Sequence, residues 1–173
     1  METAITSLIV VALIVLTLVG LSQAALTTQA NIAASSGQMQ ERLGERARTN
    51  INALSAQALP ADAAGASVQV TLKNTGSVKL ASFDQWDVIL QSNDGTKTQA
   101  RWYPFGNSAN QWQETIFQSA AALTPEVIEP GILDPGEEMI VTINVSPAVA
   151  LGTTNLAIIT TPNGISASTV FTH

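Results

Sequence analysis

Few side chains in this sequence have the types and spacing that catalysis or metal binding requires. The 173-residue chain has no cysteine, and its one histidine is His173. This composition excludes disulfides, thiolate metal sites, histidine-based metal clusters and catalytic triads. Two acidic pairs remain, Asp84 with Asp87 and Glu137 with Glu138. Paired carboxylates bind calcium or transfer protons, but neither pair has EF-hand spacing, and scattered carboxylates on a β-domain are usually solvated turns.

No phosphate-binding, dinucleotide-binding or nucleophile-elbow motif is present in the sequence either. We therefore predict no enzyme, and no catalytic, cofactor-binding or metal-binding residues. The one Asn-x-Ser/Thr sequence begins at Asn144, inside a predicted strand and just before Pro147, which makes it a weak candidate for glycosylation.

The charge of the chain excludes another class of function. Seven basic and 13 acidic residues give a net charge of −6, so no basic stripe is available to neutralise nucleic-acid phosphates. Only 12% of the residues are charged, against a typical quarter. Such a composition suits a surface that is solvated without charge, or one that is largely covered by neighbouring molecules.

An apolar segment of 18 residues, from Ala4 to Leu21, begins near the N-terminus and has nearly the length needed to cross a bilayer. No charged residue occurs between Glu2 and Glu41. A removable signal peptide is an alternative, but no basic residue precedes the apolar run. Met1 is either the initiator or the start left by removal of a leader. The residues expected to form the apolar assembly surface of this helix are Ile5, Leu8, Ile9, Val11, Ala12, Val15, Leu16, Val19, Ala25 and Ala33.

The helical pattern continues beyond the apolar segment. No proline occurs before Pro60, and Ala, Gln, Leu, Glu and Arg dominate residues 21–59. We predict a helix over residues 1–58, a linker over 59–67 and a β-domain over 68–173. The uncharged stretch 22–40 is rich in small residues. It has two interpretations, a stalk outside the membrane or a helix surrounded by copies of itself.

After the linker, the spacing of the apolar residues changes from the period of a helix to the alternation of a strand. We predict six strands, with the sequences SVQVTLKN, WDVILQ, TKTQARWY, EMIVTINVS, NLAIITT and ISASTVFT. Turns separate them, and the turn residues singled out are Asn74, Gly76, Pro135, Gly136, Asn163 and Gly164. Gly76 is expected at a positive φ. The fold class is therefore α+β, a long N-terminal hydrophobic helix followed by an immunoglobulin-like antiparallel β-sandwich.

A long insert, residues 104–137, separates the third and fourth predicted strands. It contains Trp112 and Phe117. Its aromatic side chains are expected to cap the open end of the sandwich core or, as an alternative, to form a ligand pocket.

Three stretches resemble the archaeal flagellin (archaellin) superfamily, a group of type IV pilin-like filament proteins. They are ITSLIVVALIVLTLVGLSQA, VTLKNTGSVKL followed by DVIL, and ILDPGEEMIVTINVS with TPNGISASTVF. The resemblance implies that a prepilin-type peptidase removes a leader, that the protein waits in the cytoplasmic membrane, and that the helices then form the core of a cell-surface filament. An ATP-driven motor would assemble and rotate this filament for swimming.

The residues by themselves support the same interpretation. A helix that is apolar for about 30 Å can wait in a bilayer and then exchange lipid for identical helices without desolvating an ion. The expected partners are therefore the protein itself and the membrane, with no nucleic acid. Three alternatives stay open: a membrane-anchored accessory β-domain of the archaellum motor, a minor or adhesive type IV pilin, and a secreted binding domain.

Overall fold

The computed structural model describes residues 2–60 and 65–173. Helix α1 runs from Glu2 to Arg48 and is followed by nine strands. The contacts between residues divide the chain into two compact units, residues 1–43 and residues 44–173. The second unit contains all nine strands. The predicted α+β class, a long helix followed by an antiparallel sandwich, is confirmed.

Helix α1 contains no proline and ends at Arg48, ten residues before the end predicted from the sequence. Thr49 makes the last bonds of the helix: its backbone N–H (3.0 Å) and its hydroxyl (2.9 Å) both donate to the carbonyl oxygen of Glu45. Arg46 and Arg48 lie in the last turn, where cations are favoured by the negative end of the helix dipole.

The prediction of helix over residues 49–58 is wrong, because Ile51–Leu59 form strand β1. Ile51 and Ala58 are buried in the core, and β1 pairs antiparallel with β2 from Ile51 opposite Asn74 to Leu59 opposite Ser67. This tertiary pairing overrides a local preference for helix of a few tenths of a kcal/mol per residue. Of the predicted linker, Leu59 belongs to β1 and residues 65–67 belong to β2, while residues 61–64 lie outside the described residues.

The nine strands form two antiparallel sheets. Their bounds are β1 Ile51–Leu59, β2 Gly65–Asn74, β3 Asp87–Asn93, β4 Thr98–Tyr103, β5 Trp112–Ser119, β6 Thr124–Pro125, β7 Glu138–Val149, β8 Thr154–Thr160 and β9 Ser166–Thr172. One sheet has the order β1-β2-β7-β5-β6, and the other has the order β4-β3-β8-β9. A short 3-10 turn, Phe83–Gln85, precedes β3.

Alternating side chains of both sheets form the core. The pattern is clearest in β7, where Met139, Val141 and Ile143 are fully buried and the residues between them are not. A period of two is the signature of a strand with one buried face. The largest fully buried side chains are Trp112, Tyr103, Leu72, Leu90, Leu133, Met139, Ile143, Ile159, Val68, Val70, Val88 and Val141.

The insert between β4 and β7 contributes a strand to the larger sheet, which the sequence pattern does not predict. It contains β5, which pairs with β7 from Trp112 opposite Ile143 to Phe117 opposite Glu138. Trp112 is fully buried and meets Phe105 edge-on at a centroid distance of 5.0 Å. The alternation in β5 is hard to recognise because Glu114 takes an inward position between Trp112 and Ile116.

Candidate assembly surface

The first candidate surface is helix α1 itself. Every side chain from residue 5 to residue 48 is exposed. Leu8 is 72% exposed, Leu16 73% and Leu21 69%. The ten assembly residues predicted from the sequence all belong to this surface: Ile5, Leu8, Ile9, Val11, Ala12, Val15, Leu16, Val19, Ala25 and Ala33. Because apolar residues surround the helix on all sides, it requires lipid or other helices around it.

The length and composition of α1 are sufficient to cross a membrane. The candidate span, Ile5–Arg48, has an 18-residue window with a mean hydropathy of 2.7. The 47 residues of α1 rise about 70 Å at about 1.5 Å per residue, more than twice the thickness of a hydrocarbon core of about 30 Å. A single crossing therefore accounts for less than half of the helix.

Three threonine hydroxyl groups in α1 are hydrogen-bonded to the backbone of the helix itself. Thr17 donates to the carbonyl oxygens of Ile14 (2.8 Å) and Leu13 (3.0 Å), and Thr28 donates to that of Ala24 (2.8 Å). Thr27 makes the same bond to Gln23, at 2.9 Å. A hydroxyl that is already hydrogen-bonded costs less to bury than a free one, so these threonines suit apolar surroundings.

The glycines of α1 have no role in the packing of their own chain. A Cβ atom placed on Gly20, Gly37 or Gly44 would have no neighbour within 4 Å. Each glycine nevertheless costs about 1 kcal/mol of helix stability relative to alanine. Small residues in apolar helices are typical of close helix–helix approach.

The end of α1 is fastened to the turn after β2 by backbone hydrogen bonds. The N–H of Ser77 donates to the carbonyl oxygen of Arg48 (2.9 Å), and those of Thr75 and Gly76 donate to that of Asn50, both at 3.0 Å. Gly76 is not at a positive φ, contrary to expectation. A Cβ atom there would lie 2.5 Å from the Arg48 oxygen and 2.6 Å from the Asn50 nitrogen. The close approach of two backbone segments therefore requires glycine.

Asn74 is the centre of this junction and is fully buried. Its side-chain Nδ2 donates to the carbonyl oxygens of Val78 (2.8 Å) and Leu133 (2.9 Å), and its Oδ1 accepts the N–H of Gly76 (3.0 Å). The sequence indicates only a turn here. The signal for the larger role is a polar residue that continues the buried face of β2.

The two other predicted turn pairs lie at the ends of β7 and β8. Gly136, which follows Pro135, has φ +91°, and Gly164, which follows Asn163, has φ +81°. Asn163 also donates from Nδ2 to the Thr49 hydroxyl at 2.6 Å. The β8–β9 turn is therefore hydrogen-bonded to the residue that ends α1, a contact that the sequence alone gives no means of finding.

Three of the four acidic side chains considered as candidates for chemistry, those of Asp87, Glu137 and Glu138, serve as hydrogen-bond acceptors in the fold. Asp87 accepts the indole N–H of Trp102 at 3.0 Å, and Glu137 accepts the backbone N–H of Asp134 at 2.9 Å. Glu138 accepts the N–H of Ala120 at 2.8 Å. Within residues 2–60 and 65–173, no group of three or more His, Cys, Asp or Glu side chains is arranged to hold a metal ion.

A cluster of charges lies between the turn after β2 and the segment before β7. Lys79 forms ion pairs with Glu129 and, at 3.3 Å, with Asp134. The hydrogen bonds to Glu129 and Asp134 raise the pKa of Lys79. Nearby, burial and then the charges of neighbouring carboxylates raise the pKa of Glu126, opposed by a hydrogen bond from Gly131. The cluster therefore brings three carboxylates, those of Glu126, Glu129 and Asp134, together with one lysine.

Comparisons with known proteins agree on the fold. No protein-family model matches the sequence, and no curated protein matches it. Among solved structures, the archaellum periplasmic stator protein complex FlaF and FlaG from Sulfolobus acidocaldarius has a TM-score of 0.52 at 18% identity, covering 70% of this chain and 87% of that one. The archaellum periplasmic stator protein FlaG from the same organism has a TM-score of 0.50 at 20% identity, covering 71% and 99%.

A filament protein also has this fold. The archaeal flagellin FlaB1 from Methanocaldococcus jannaschii has a TM-score of 0.55 at 9% identity, covering 72% of this chain and 89% of that one. Identities this low establish the fold and not the role. The resemblance to the archaellin superfamily is confirmed at that level, and the chain has the fold shared by archaellum stator proteins and an archaeal flagellin.

Proposed function

We propose that this protein is the structural subunit of an archaellum-like filament that serves swimming, polymerised through α1. One observation carries the proposal: the uncharged part of the chain, residues 3–40, forms one uninterrupted helix that continues well beyond a single membrane crossing. In residues 22–40, Leu26 (63%), Ile32 (61%) and Met39 (65%) are exposed apolar side chains. An anchor that leaves the membrane needs no such residues, whereas a helix packed among identical helices does.

The same helix supports storage in the cytoplasmic membrane before assembly. Both lipid and a bundle of helices are apolar, so the transfer between them desolvates no charge. The net stabilisation then comes from van der Waals packing, which small residues and the three glycines of α1 favour. A head-to-tail contact that does not close gives an open helical polymer at the cell surface.

A charge placed in the second half of the helix tests the proposal. We expect Ala33→Lys to abolish filaments, because a lysine surrounded by apolar helices would be buried without a partner. Ala33→Leu controls for size, and Thr115→Lys, on an exposed position of β5, controls for added charge. The readout is electron microscopy of material sheared from cells, with the protein identified by mass spectrometry. Normal filaments from the Ala33→Lys chain would refute the proposal.

The peptidase and the motor belong to the proposal through the archaellin resemblance. Met1 lies outside the described residues, so its role as a processed start remains a prediction. Amino-terminal sequencing of protein taken from filaments tests it: a start at Met1 is expected, and a start near Ala25 would instead indicate a signal peptide.

A second function is favoured by one specific observation. The match to the stator protein FlaG covers 99% of that chain, which supports an accessory protein of the archaellum motor, anchored by α1 with its β-domain outside the membrane. This alternative predicts that the native protein stays in membranes, that no fibre contains it, and that Ala33→Lys leaves its membrane location unchanged.

A further inference from the structure

The connection from β5 to β7 contains an exposed apolar segment, residues 123–128, which we call the apolar loop. Leu123 is 65% exposed, Val127 is 75% exposed and Ile128 is 64% exposed. Exposed apolar side chains that occur together, with charged residues beside them, are typical of an interaction site. The apolar loop is therefore a candidate contact with another molecule.

The apolar loop lies at the end of the β-domain to which α1 is attached. The turn after β2 holds both elements. The N–H of Ser77 in this turn donates to the carbonyl oxygen of Arg48 at 2.9 Å. Further along the same segment, Leu80 exchanges two backbone hydrogen bonds with Leu133, at 3.0 and 2.8 Å. Since Leu133 comes shortly after the apolar loop, the loop lies near the point where α1 leaves the β-domain.

The last part of α1 has a face that combines apolar and basic side chains. Met39 is 65% exposed and Leu43 is 56% exposed. At about 100° per residue, Leu43 lies about 40° from Met39 around the helix axis, Arg46 about 20° and Arg42 about 60°. All four side chains are exposed, so no part of their own chain covers them. We call these four residues the arginine face.

The acidic residues of the same segment lie on another side of the helix. Glu41 is about 160° and Glu45 about 120° from Met39 around the axis. In the part of the chain that the structure describes, Arg42 and Arg46 form no ion pair. The arginine face is therefore positive as well as apolar.

The apolar loop and its surroundings carry the opposite charge. Three carboxylates, those of Glu126, Glu129 and Asp134, share the single cation of Lys79. The Oε1 atom of Glu126 has no hydrogen-bond partner among the described residues. An excess of negative charge therefore adjoins the exposed apolar side chains, and it complements the excess of positive charge on the arginine face.

The basic side chains of the β-domain suit this loop less well. Lys73 forms an ion pair with Glu138, and Arg101 donates to an amide oxygen and a backbone carbonyl of its own domain. Lys97 is in one turn with the carboxylate of Asp94, which accepts its backbone N–H. The arginine face offers two cations without such partners beside exposed apolar side chains.

We propose that the apolar loop of one copy binds the arginine face of α1 in a neighbouring copy, with its carboxylates beside Arg42 and Arg46. This inference rests on the proposed function. In a bundle of α1 helices the uncharged residues 3–40 are buried, and the arginines that follow must stay outside it. A contact between two different surfaces passes from copy to copy without closing. The shared helices hold the β-domains at high effective concentration, so a small contact suffices.

Cysteine cross-linking tests the contact, since the natural chain has no cysteine. In the full-length chain, Leu43→Cys combined with Ile128→Cys is expected to give a ladder of covalent oligomers after oxidation of sheared filaments or membranes. Co-expressed single variants are expected to give dimers and nothing larger, which shows that the link joins two chains. The control, Glu41→Cys with Ile128→Cys, keeps the loop thiol and moves the helix thiol by about 160° around α1; it is expected to stay monomeric.

Charge reversal tests the electrostatic part of the contact. Arg46→Glu is expected to slow the cross-linking of Leu43→Cys with Ile128→Cys by about two- to fivefold at low salt. Adding Glu126→Lys to the same chain should restore the rate, because the two charges are then exchanged. Lys97→Glu, a reversal elsewhere on the β-domain, should leave the rate unchanged. An unchanged rate with Arg46→Glu would overturn the proposed pairing of charges.

The other outcomes separate this contact from the filament proposal. Filaments without a Leu43→Cys/Ile128→Cys ladder overturn the contact and leave the filament proposal intact. Dimers from Leu43→Cys alone show that two helices meet at this face and overturn the binding of the loop. If the chain forms no filaments and the ladder appears in membranes, the filament proposal fails while the contact stands; if neither appears, both fail.

Discussion

Removal of the Asn74 side chain should destabilise the β-domain by about 2–5 kcal/mol. The side chain makes three hydrogen bonds, but the loss of each has a different cost. Without the Asn74 side chain, the Leu133 carbonyl still accepts a hydrogen bond from the N–H of Leu80, and the Gly76 N–H still donates to the carbonyl of Asn50. These two losses cost about 0.5–1 kcal/mol each. The Val78 carbonyl loses the hydrogen bond that the Asn74 side chain donates, and this loss costs about 1–3 kcal/mol of stability.

Asn74→Asp distinguishes hydrogen bonding from packing, because it keeps the shape of the side chain. It places a buried carboxylate oxygen where Nδ2 stood, 2.8 and 2.9 Å from two carbonyl oxygens. We expect this isosteric variant to be less stable than Asn74→Ala at pH 7. Burial and these carbonyls raise the pKa of the new carboxyl group, so part of the loss should be recovered as the pH falls.

The assay is urea unfolding of the detergent-solubilised full-length chain, followed by the fluorescence of the buried Trp86 and Trp112. With a slope of about 2 kcal/mol/M, the urea midpoint should fall by about 1–2.5 M for Asn74→Ala. Asn52→Ala, on an exposed position of β1, is the control and should change stability by less than about 0.5 kcal/mol. If Asn74→Asp is as stable as Asn74→Ala or more stable at pH 7, the role assigned to the amide is wrong.

Three further predictions concern other parts of the β-domain. Gly76→Ala should destabilise it by about 1–3 kcal/mol in the same assay, because the added methyl group meets the backbone of Arg48; an unchanged midpoint would contradict this. Hydrogen bonds from Thr96 and Lys97 lower the pKa of Asp94 to about 2. The Asp94 carboxylate therefore contributes fully to stability above about pH 4, and this contribution is lost as the pH falls towards 2. An NMR titration of Asp94 should give a pKa of about 2, and a value near 3.8 would contradict the prediction. Burial raises the pKa of Glu114, so the charged carboxylate destabilises the protein at neutral pH. Glu114→Gln should therefore stabilise the protein at pH 7 and change its stability little at pH 3. Urea unfolding at the two pH values measures the difference.

The elements that could be predicted are those whose pattern is local. The apolar run of α1 and the alternation of β7 need no knowledge of their neighbours, and both are present in the structure. Strand β1 could not be predicted, because its residues are small and its stability comes from pairing with β2 and from burial of Ile51 and Ala58. Strand β5 was hidden by Glu114, whose charge interrupts the apolar alternation.

The same difference between local and long-range signals applies to the candidate surfaces. The uncharged length of α1 follows from the sequence alone. The grouping of Ile89, Trp102 and Ile158 on one sheet does not, because these residues come from three strands and become neighbours only through the register between them. The role of Asn74 is similar, since its partner Leu133 is 59 residues away in the sequence.

The strand order of the larger sheet also sets the sequence of events during synthesis. Strand β2 has a neighbour on both edges only because β7 pairs with its second edge, and β7 begins 64 residues after β2 ends. Until β7 has left the ribosome, β1 and β2 are a two-stranded hairpin, which is marginally stable in water. Helix α1 is complete long before that point. At that stage the growing chain consists of the apolar α1 segment followed by strands that have not yet formed the larger sheet.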